Sequence, residues 1–157
     1  MADIDLREAD PKFIKELAAQ PGGEKIVACF TCRTCTASCP ISIVNNKFSP
    51  YRIIRMALYG LRRQVLERDF IWLCSSCYAC QERCPQGVSI TEFMTLLKNL
   101  AAKEGYAPAG IRAQRDLIKG HGRIYPLDEF DNKKRNKIGL PSLPTTCGVV
   151  KELFPEQ

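Results

Sequence analysis

The chain has 157 residues, 45% apolar content and a formal net charge of +6, the size and make-up of one globular domain able to bury a modest core. No apolar run approaches the ~18 to 20 residues of a membrane span, no lipidation signal stands at either end, and residues 1–17 read as acidic and then amphipathic rather than as a secretory leader. These features argue against a membrane-spanning or a disulfide-stapled secreted protein and predict a soluble, cytoplasmic one.

Asp10-Pro11 reads as a helix start, with Phe13, Ile14, Leu17 and Ala18 on one face and Pro21-Gly22-Gly23 as the stop, so a helix is expected over about residues 11–20. The chain then enters Cys29-x-x-Cys32-x-x-Cys35-x-x-x-Cys39-Pro40. The same run recurs as Cys74-x-x-Cys77-x-x-Cys80-x-x-x-Cys84-Pro85. Gaps of two, two and three before Cys-Pro form the bacterial ferredoxin pattern, in which three thiolates wrap one [4Fe-4S] cluster and the fourth ligates the other. The expected ligand sets are therefore Cys29, Cys32, Cys35 and Cys84 for one cluster, and Cys74, Cys77, Cys80 and Cys39 for its partner. Zinc is the main chemical competitor, because C-x-x-C pairs are common zinc ligands. It would leave the third cysteine and the Cys-Pro of each run unexplained. The clusters also change the meaning of the charge: eight thiolates and two doubly positive cores bring the +6 down to about +2, which removes the case for a nucleic-acid partner.

The connection between Cys39 and Cys74 reads as helical. Ser49-Pro50 opens a helix with Ile53, Ile54, Ala57 and Leu58 as its apolar stripe, and Gly60 closes it. A further helical stretch from Leu61 to Arg68 carries Val65 and Leu66 before Phe70-Ile71-Trp72-Leu73 leads into the second run. After Pro85, Ser89 and Glu92 have the spacing of a capping box, and Ile90, Phe93, Met94, Leu97, Leu100 and Ala101 follow at helical period up to Gly105. Another helix is expected from Pro108 to Lys119, ending near Gly120. Beyond Tyr125, Pro126, Pro141 and Pro144 with the basic run at Lys133, Lys134, Arg135 and Lys137 predict a loop-rich, extended tail that packs on a partner. The expected division is residues 1–125 as a two-cluster domain and 126–157 as that tail. The fold class is all-α, of the α-helical ferredoxin type, with two pseudo-symmetric cluster-binding halves.

Fully ligated cubanes leave iron no open site for substrate, so the expected chemistry is single-electron transfer, with no catalytic residue in this chain. Trp72, Phe30 and Tyr78 adjoin cysteines and are expected to pack over them, while Arg33 and Arg83 are expected to face solvent. His121, between two glycines, reads as a surface or interface residue, and Cys147 as a free, packed or interfacial thiol. No GxGxxG unit, His/carboxylate cluster or adjacent Cys-Cys pair occurs.

Residues 28–40, Arg52-Ile-Ile-Arg-Met-Ala-Leu58, Ile71-Trp-Leu-Cys74 with the run to Pro85, Gly87-Val-Ser-Ile90 and Asn99-Leu-Ala-Ala-Lys-Glu-Gly105 resemble the small two-cluster C-type subunit of heterodisulfide reductase. The resemblance implies an obligate hetero-oligomer in which such a chain wires a flavin- and iron-sulfur-containing A-type subunit to a B-type subunit. The latter reduces the coenzyme M/coenzyme B heterodisulfide at clusters held by Cys-Cys-Gly motifs. Only the eight cluster cysteines carry over residue by residue. Two alternatives stand beside it: the iron-sulfur subunit of another dehydrogenase (succinate, glycerol-phosphate or glycolate type), and a zinc-stabilised interaction module.

Overall fold

Proline, glycine and cysteine loops interrupt the chain so often that, among the described residues 6–153 of the computed structural model, only two helices run beyond three turns and no strand forms. The chain divides into two compact units, Met1–Tyr106 and Ala107–Gln157. All eight motif cysteines lie in the first.

In the first unit, α1 (Phe13–Ala18) is too short to hold itself in water, and it persists because Phe13 and Leu17 are fully buried. The Asp10 carboxylate accepts from the Lys12 N–H at 2.9 Å at its entrance. Two four-residue helices, α2 (Thr34–Ala37) and, further on, its counterpart at Ala79–Glu82, occupy equivalent positions in the two cysteine runs. A short α3 (Pro40–Val44) starts on the proline after Cys39, where a missing N–H costs nothing. In α4 (Pro50–Leu58) the Ser49 hydroxyl accepts from the Arg52 N–H at 3.3 Å, and Ile53, Ile54 and Ala57 are buried as the stripe requires.

Gly60 ends α4 at φ +73°, and its N–H and carbonyl are both used: the carbonyl accepts from the Asp10 N–H at 2.8 Å. A Cβ there would meet the Asp10 carbonyl oxygen at 2.3 Å, so only glycine permits this crossing of the chain over itself. The next helix, α5 (Arg62–Leu66), buries Val65 and Leu66. Arg62 stacks on the Phe13 ring at 4.9 Å and pairs with both Glu16 and Glu104, which joins α1, α5 and the long helix of this unit.

The pseudo-symmetry extends beyond the cysteines. A 3-10 turn, Ile26–Ala28 in one half and Asp69–Leu73 in the other, delivers the chain to Cys29 and Cys74, and Ile26 and Ile71 are the buried anchors at matching positions. After α6 (Ala79–Glu82), the helix α7 (Ile90–Lys103) carries Ile90, Phe93, Met94, Leu97 and Ala101 into the core and stops at Gly105, φ +87°.

The expected Ser89–Glu92 capping box does not form. Ser89 makes no side-chain cap bond; instead the Gln81 side chain on α6 accepts from the Thr91 N–H at 3.1 Å and donates to Glu92 at 3.2 Å. A tertiary partner has displaced the local one because α6 is packed against the start of α7.

In the second unit, α8 (Ala109–His121) continues past Gly120, and Gly122 at φ +71° supplies the left-handed stop. The extended tail expected over 126–157 instead contains α9 (Glu129–Lys137), which holds the whole basic run. Its start signal explains the difference: Asp128 accepts from the Asp131 N–H at 2.8 Å while the Asp131 carboxylate accepts from the Asp128 N–H at 3.4 Å, a capping box built from two aspartates. Asn132 then clamps the returning chain, donating to the Leu143 carbonyl at 2.8 Å and accepting its N–H at 2.9 Å. The last described element is α10 (Val150–Leu153). Cys147 donates its N–H to the His121 carbonyl at 3.2 Å and lies against Gly122, where a Cβ would meet the Cys147 Cβ at 2.6 Å; it is a half-buried, packed thiol.

Candidate metal centres

Each cysteine run must wrap its thiols around one centre within a few residues, which demands backbone turns that ordinary residues resist. Thr31 (φ +69°) and Arg33 (φ +66°) flank Cys32, and Ser76 (φ +53°) and Tyr78 (φ +64°) flank Cys77. These four are the only non-glycine residues with positive φ among the described ones. Left-handed backbone costs on the order of 1 kcal/mol or more per residue. Such alternation also aims successive N–H groups into a concavity, the arrangement found at anion and iron-sulfur sites.

The result is two cavities. One is lined by Cys29, Cys32, Cys35 and Cys84 with Tyr51, Ile54, Val88 and Ile90 among the side chains between them. The other is lined by Cys39, Cys74, Cys77 and Cys80 with Phe48, Thr91 and Met94. Each gathers three thiols from its own run and the Cys-Pro thiol of the other. The four thiols that the repeat groups together thus meet in one cavity.

Burial is graded in the same way on both sides: Cys32 and Cys77 are exposed, Cys35 and Cys80 buried, Cys29 and Cys74 intermediate. Of the last pair, Cys39 is buried and Cys84 intermediate; the buried Cys35 and Cys80 sit on α2 and α6, which pack against each other, so the two cavities adjoin. Burial pushes the Cys35 thiol up to about 11, opposed by a hydrogen bond from Thr36 and reinforced by the charges of Cys29, Cys80 and Cys32. Burial likewise raises Cys80, against a hydrogen bond from Thr91. Cys32 is lowered, chiefly by the Thr34 side chain, whose hydroxyl oxygen lies 3.3 Å from its Sγ. Thiolates crowded into such low-dielectric space need a compensating cation, which a bound metal core supplies. The donor set therefore fits a cubane: four soft thiolates around a cavity, no oxygen or nitrogen ligand required.

The neighbouring aromatics divide. Trp72 packs against the core, with its indole N–H buried and unpartnered. Phe30 and Tyr78, expected to pack over sulfur, are 57% and 45% exposed instead. The loops turn their cysteines inward, and the spacers are left facing out. Arg33 and Arg83 are exposed as expected, with the Arg33 guanidinium over the Tyr51 ring at 4.8 Å. Two bonds that tie the sites to the rest of the fold have no signal in the sequence pattern. The Val88 N–H donates to Cys84 Sγ at 3.4 Å, and Lys98 Nζ donates to the Cys74 carbonyl at 2.9 Å. Lys98 stands on the face of α7 opposite its apolar stripe, where periodicity assigns it to solvent.

Helices without strands around two adjoining tetra-thiol cavities define a ferredoxin-like protein of the all-α class that carries two [4Fe-4S] clusters. Residues 25–88 match the 4Fe-4S dicluster domain. The chain is 38% identical over 152 residues to the C subunit of the H(2):CoB-CoM heterodisulfide,ferredoxin reductase of Methanothermobacter thermautotrophicus, covering 94% of this chain and 78% of that one. It is 40% identical over 145 residues to the C subunit of the ferredoxin:CoB-CoM heterodisulfide reductase of Methanosarcina mazei, covering 92% and 88%. To the iron-sulfur C subunit of the CoB--CoM heterodisulfide reductase of Methanopyrus kandleri it is 34% identical over 166 residues, covering 98% and 84%.

The chain belongs to the family of heterodisulfide reductase C subunits. Its role there is iron-sulfur electron transfer as one subunit of a larger oxidoreductase. No helix among the described residues is long and apolar enough to cross a membrane.

Proposed function

We propose that this chain is the wire of a heterodisulfide-reductase-type complex, passing single electrons from a flavin- and iron-sulfur-containing A-type subunit to a B-type subunit with Cys-Cys-Gly cluster motifs. In this reading Cys29, Cys32, Cys35 and Cys84 hold one cluster, and Cys39, Cys74, Cys77 and Cys80 the other. The observation that carries it is the pair of adjoining cavities, each with one exposed cysteine corner, Cys32 or Cys77, and one buried corner on the α2–α6 contact. Exposed corners offer contact to a donor and an acceptor, and buried corners face the neighbouring site. When bound, the clusters supply one-electron redox chemistry. The protein supplies the ligands, excludes water with Ile54, Val88, Ile90, Phe48 and Met94, and holds the two sites at a constant separation.

The region from 126 to 157, proposed as the partner-packing tail, leaves Phe130 62% and Ile138 73% exposed. Surfaces of that kind are usual where a subunit is covered in its assembly.

Anaerobic purification tests the proposal. About eight irons and eight acid-labile sulfides per chain are expected, with two interacting S = 1/2 signals on reduction and co-purification of a flavoprotein and a Cys-Cys-Gly protein. Zinc without iron or sulfide, or a stable monomer with no such partners in its native host, would overturn it.

A further inference from the structure

The two halves are equivalent in their cysteines but not in what surrounds the sulfur. Superposing the runs by position pairs Thr34 with Ala79, Arg33 with Tyr78, Ala37 with Glu82 and Val88 with Ile43. At the first cavity, the Thr34 hydroxyl lies 3.3 Å from Cys32 Sγ and the Val88 N–H donates to Cys84 Sγ at 3.4 Å. At the second, Ala79 has no hydroxyl to offer Cys77, and among the described residues no hydrogen bond runs from Ile43 to Cys39 Sγ, the Ile43 N–H lying within α3. The side-chain approach to sulfur there is the long one of Thr91 Oγ1 to Cys80 Sγ, at 3.9 Å.

Once Cys32 is a thiolate ligand it has no proton to give, so the Thr34 hydroxyl donates to it. Donors on sulfur favour the reduced state of a cluster, which carries one more negative charge, and raise its potential. The fixed charges do not reverse this order. Arg33 flanks the first site and Lys98 the second, and these cations oppose each other in the comparison. Glu82 on α6 adds a carboxylate to the second half where the first has Ala37, and Arg83 beside it adds a cation where the first has Ser38, so these two also offset.

We infer that the first cavity is the higher-potential site, and that the Thr34 hydroxyl on Cys32 and the Val88 N–H on Cys84 set the difference. The inference rests on the two-cluster relay proposed above and assigns an order to its two stations. Thr34 is a tuning residue rather than a ligand.

The test is a potentiometric titration of the anaerobically isolated holoprotein, followed by the EPR of the two reduced clusters. Thr34→Val, which keeps the shape and removes the donor, should lower only the higher midpoint, by roughly tenfold in the one-electron equilibrium or about 59 mV. Thr34→Ser, which keeps the hydroxyl, should return it to the parent value. Ala79→Thr, which gives the second half the missing donor, should raise the lower midpoint and narrow the gap. Midpoints that stay where they were in both Thr34→Val and Ala79→Thr overturn the inference, as does a Thr34→Val shift confined to the lower midpoint. Iron analysis keeps the two levels apart: a parent protein without about eight irons defeats the proposed function, whereas loaded variants with unmoved midpoints defeat only the ordering.

Discussion

Cys39 and Cys84 stand apart from the other six proposed ligands, because each belongs by sequence to one run and by space to the cavity of the other. Two substitutions far apart in sequence should then have the same spectroscopic result. Cys39→Ala and Cys77→Ala are expected to abolish the same one of the two EPR signals and to leave about four irons per chain. Cys84→Ala should instead remove the signal lost in Cys32→Ala. Loss of different signals in Cys39→Ala and Cys77→Ala would refute the crossed ligation. At Gly60 the constraint is backbone rather than ligation. A Cβ meets the Asp10 carbonyl oxygen at 2.3 Å and the residue sits at φ +73°, so Gly60→Ala is expected to cost about 2 kcal/mol or more in unfolding free energy, read by denaturant titration.

Among the elements, α1 and α5 illustrate how short helices are kept. Six and five residues are below the length at which a helix persists unaided, and their buried side chains do most of the holding. Arg62 adds a polar tie, because Glu16 from α1 and Glu104 from just past α7 both accept from its guanidinium. That pairing, with Glu16 foremost, drives its pKa further up, so the arginine stays charged at any accessible pH. Arg62→Met keeps the stem over Phe13 and removes both pairs; a loss of about 1 to 2 kcal/mol is expected from chemical denaturation. A cost indistinguishable from zero would show the pairs to be no better than ordinary surface ones. The stripes of α4 and α7 were legible from periodicity, since a 3.6-residue repeat of Ile, Leu, Phe and Met is sufficient to name the buried face. The start of α7 was not. Ser89 and Glu92 had the right spacing, but Gln81, from the preceding helix, reached Thr91 first. For α9 the misleading signal was composition: three prolines and a basic run read as loop, while the two aspartates that begin the helix form a less familiar capping pair.

At the scale of the whole molecule, the division into Met1–Tyr106 and Ala107–Gln157 leaves every proposed cluster ligand in the first unit. A chain ending at Tyr106 should therefore still bind about eight irons and show both reduced signals, while losing affinity for the partner proteins. Failure to load iron would mean that the second unit is needed to build the sites. The residue types and spacings alone determined the number of clusters and the all-α character, and they are the source of the crossed ligand pairing proposed above. Those properties depend on what a side chain can ligate and on local helical period. Only the tertiary structure decided that Cys32 and Cys77 are the exposed corners, that Phe30 and Tyr78 face outward, and that Lys98 reaches the second site. Each of those outcomes depends on burial or on a bond between segments distant in the chain, which packing sets and local sequence does not encode.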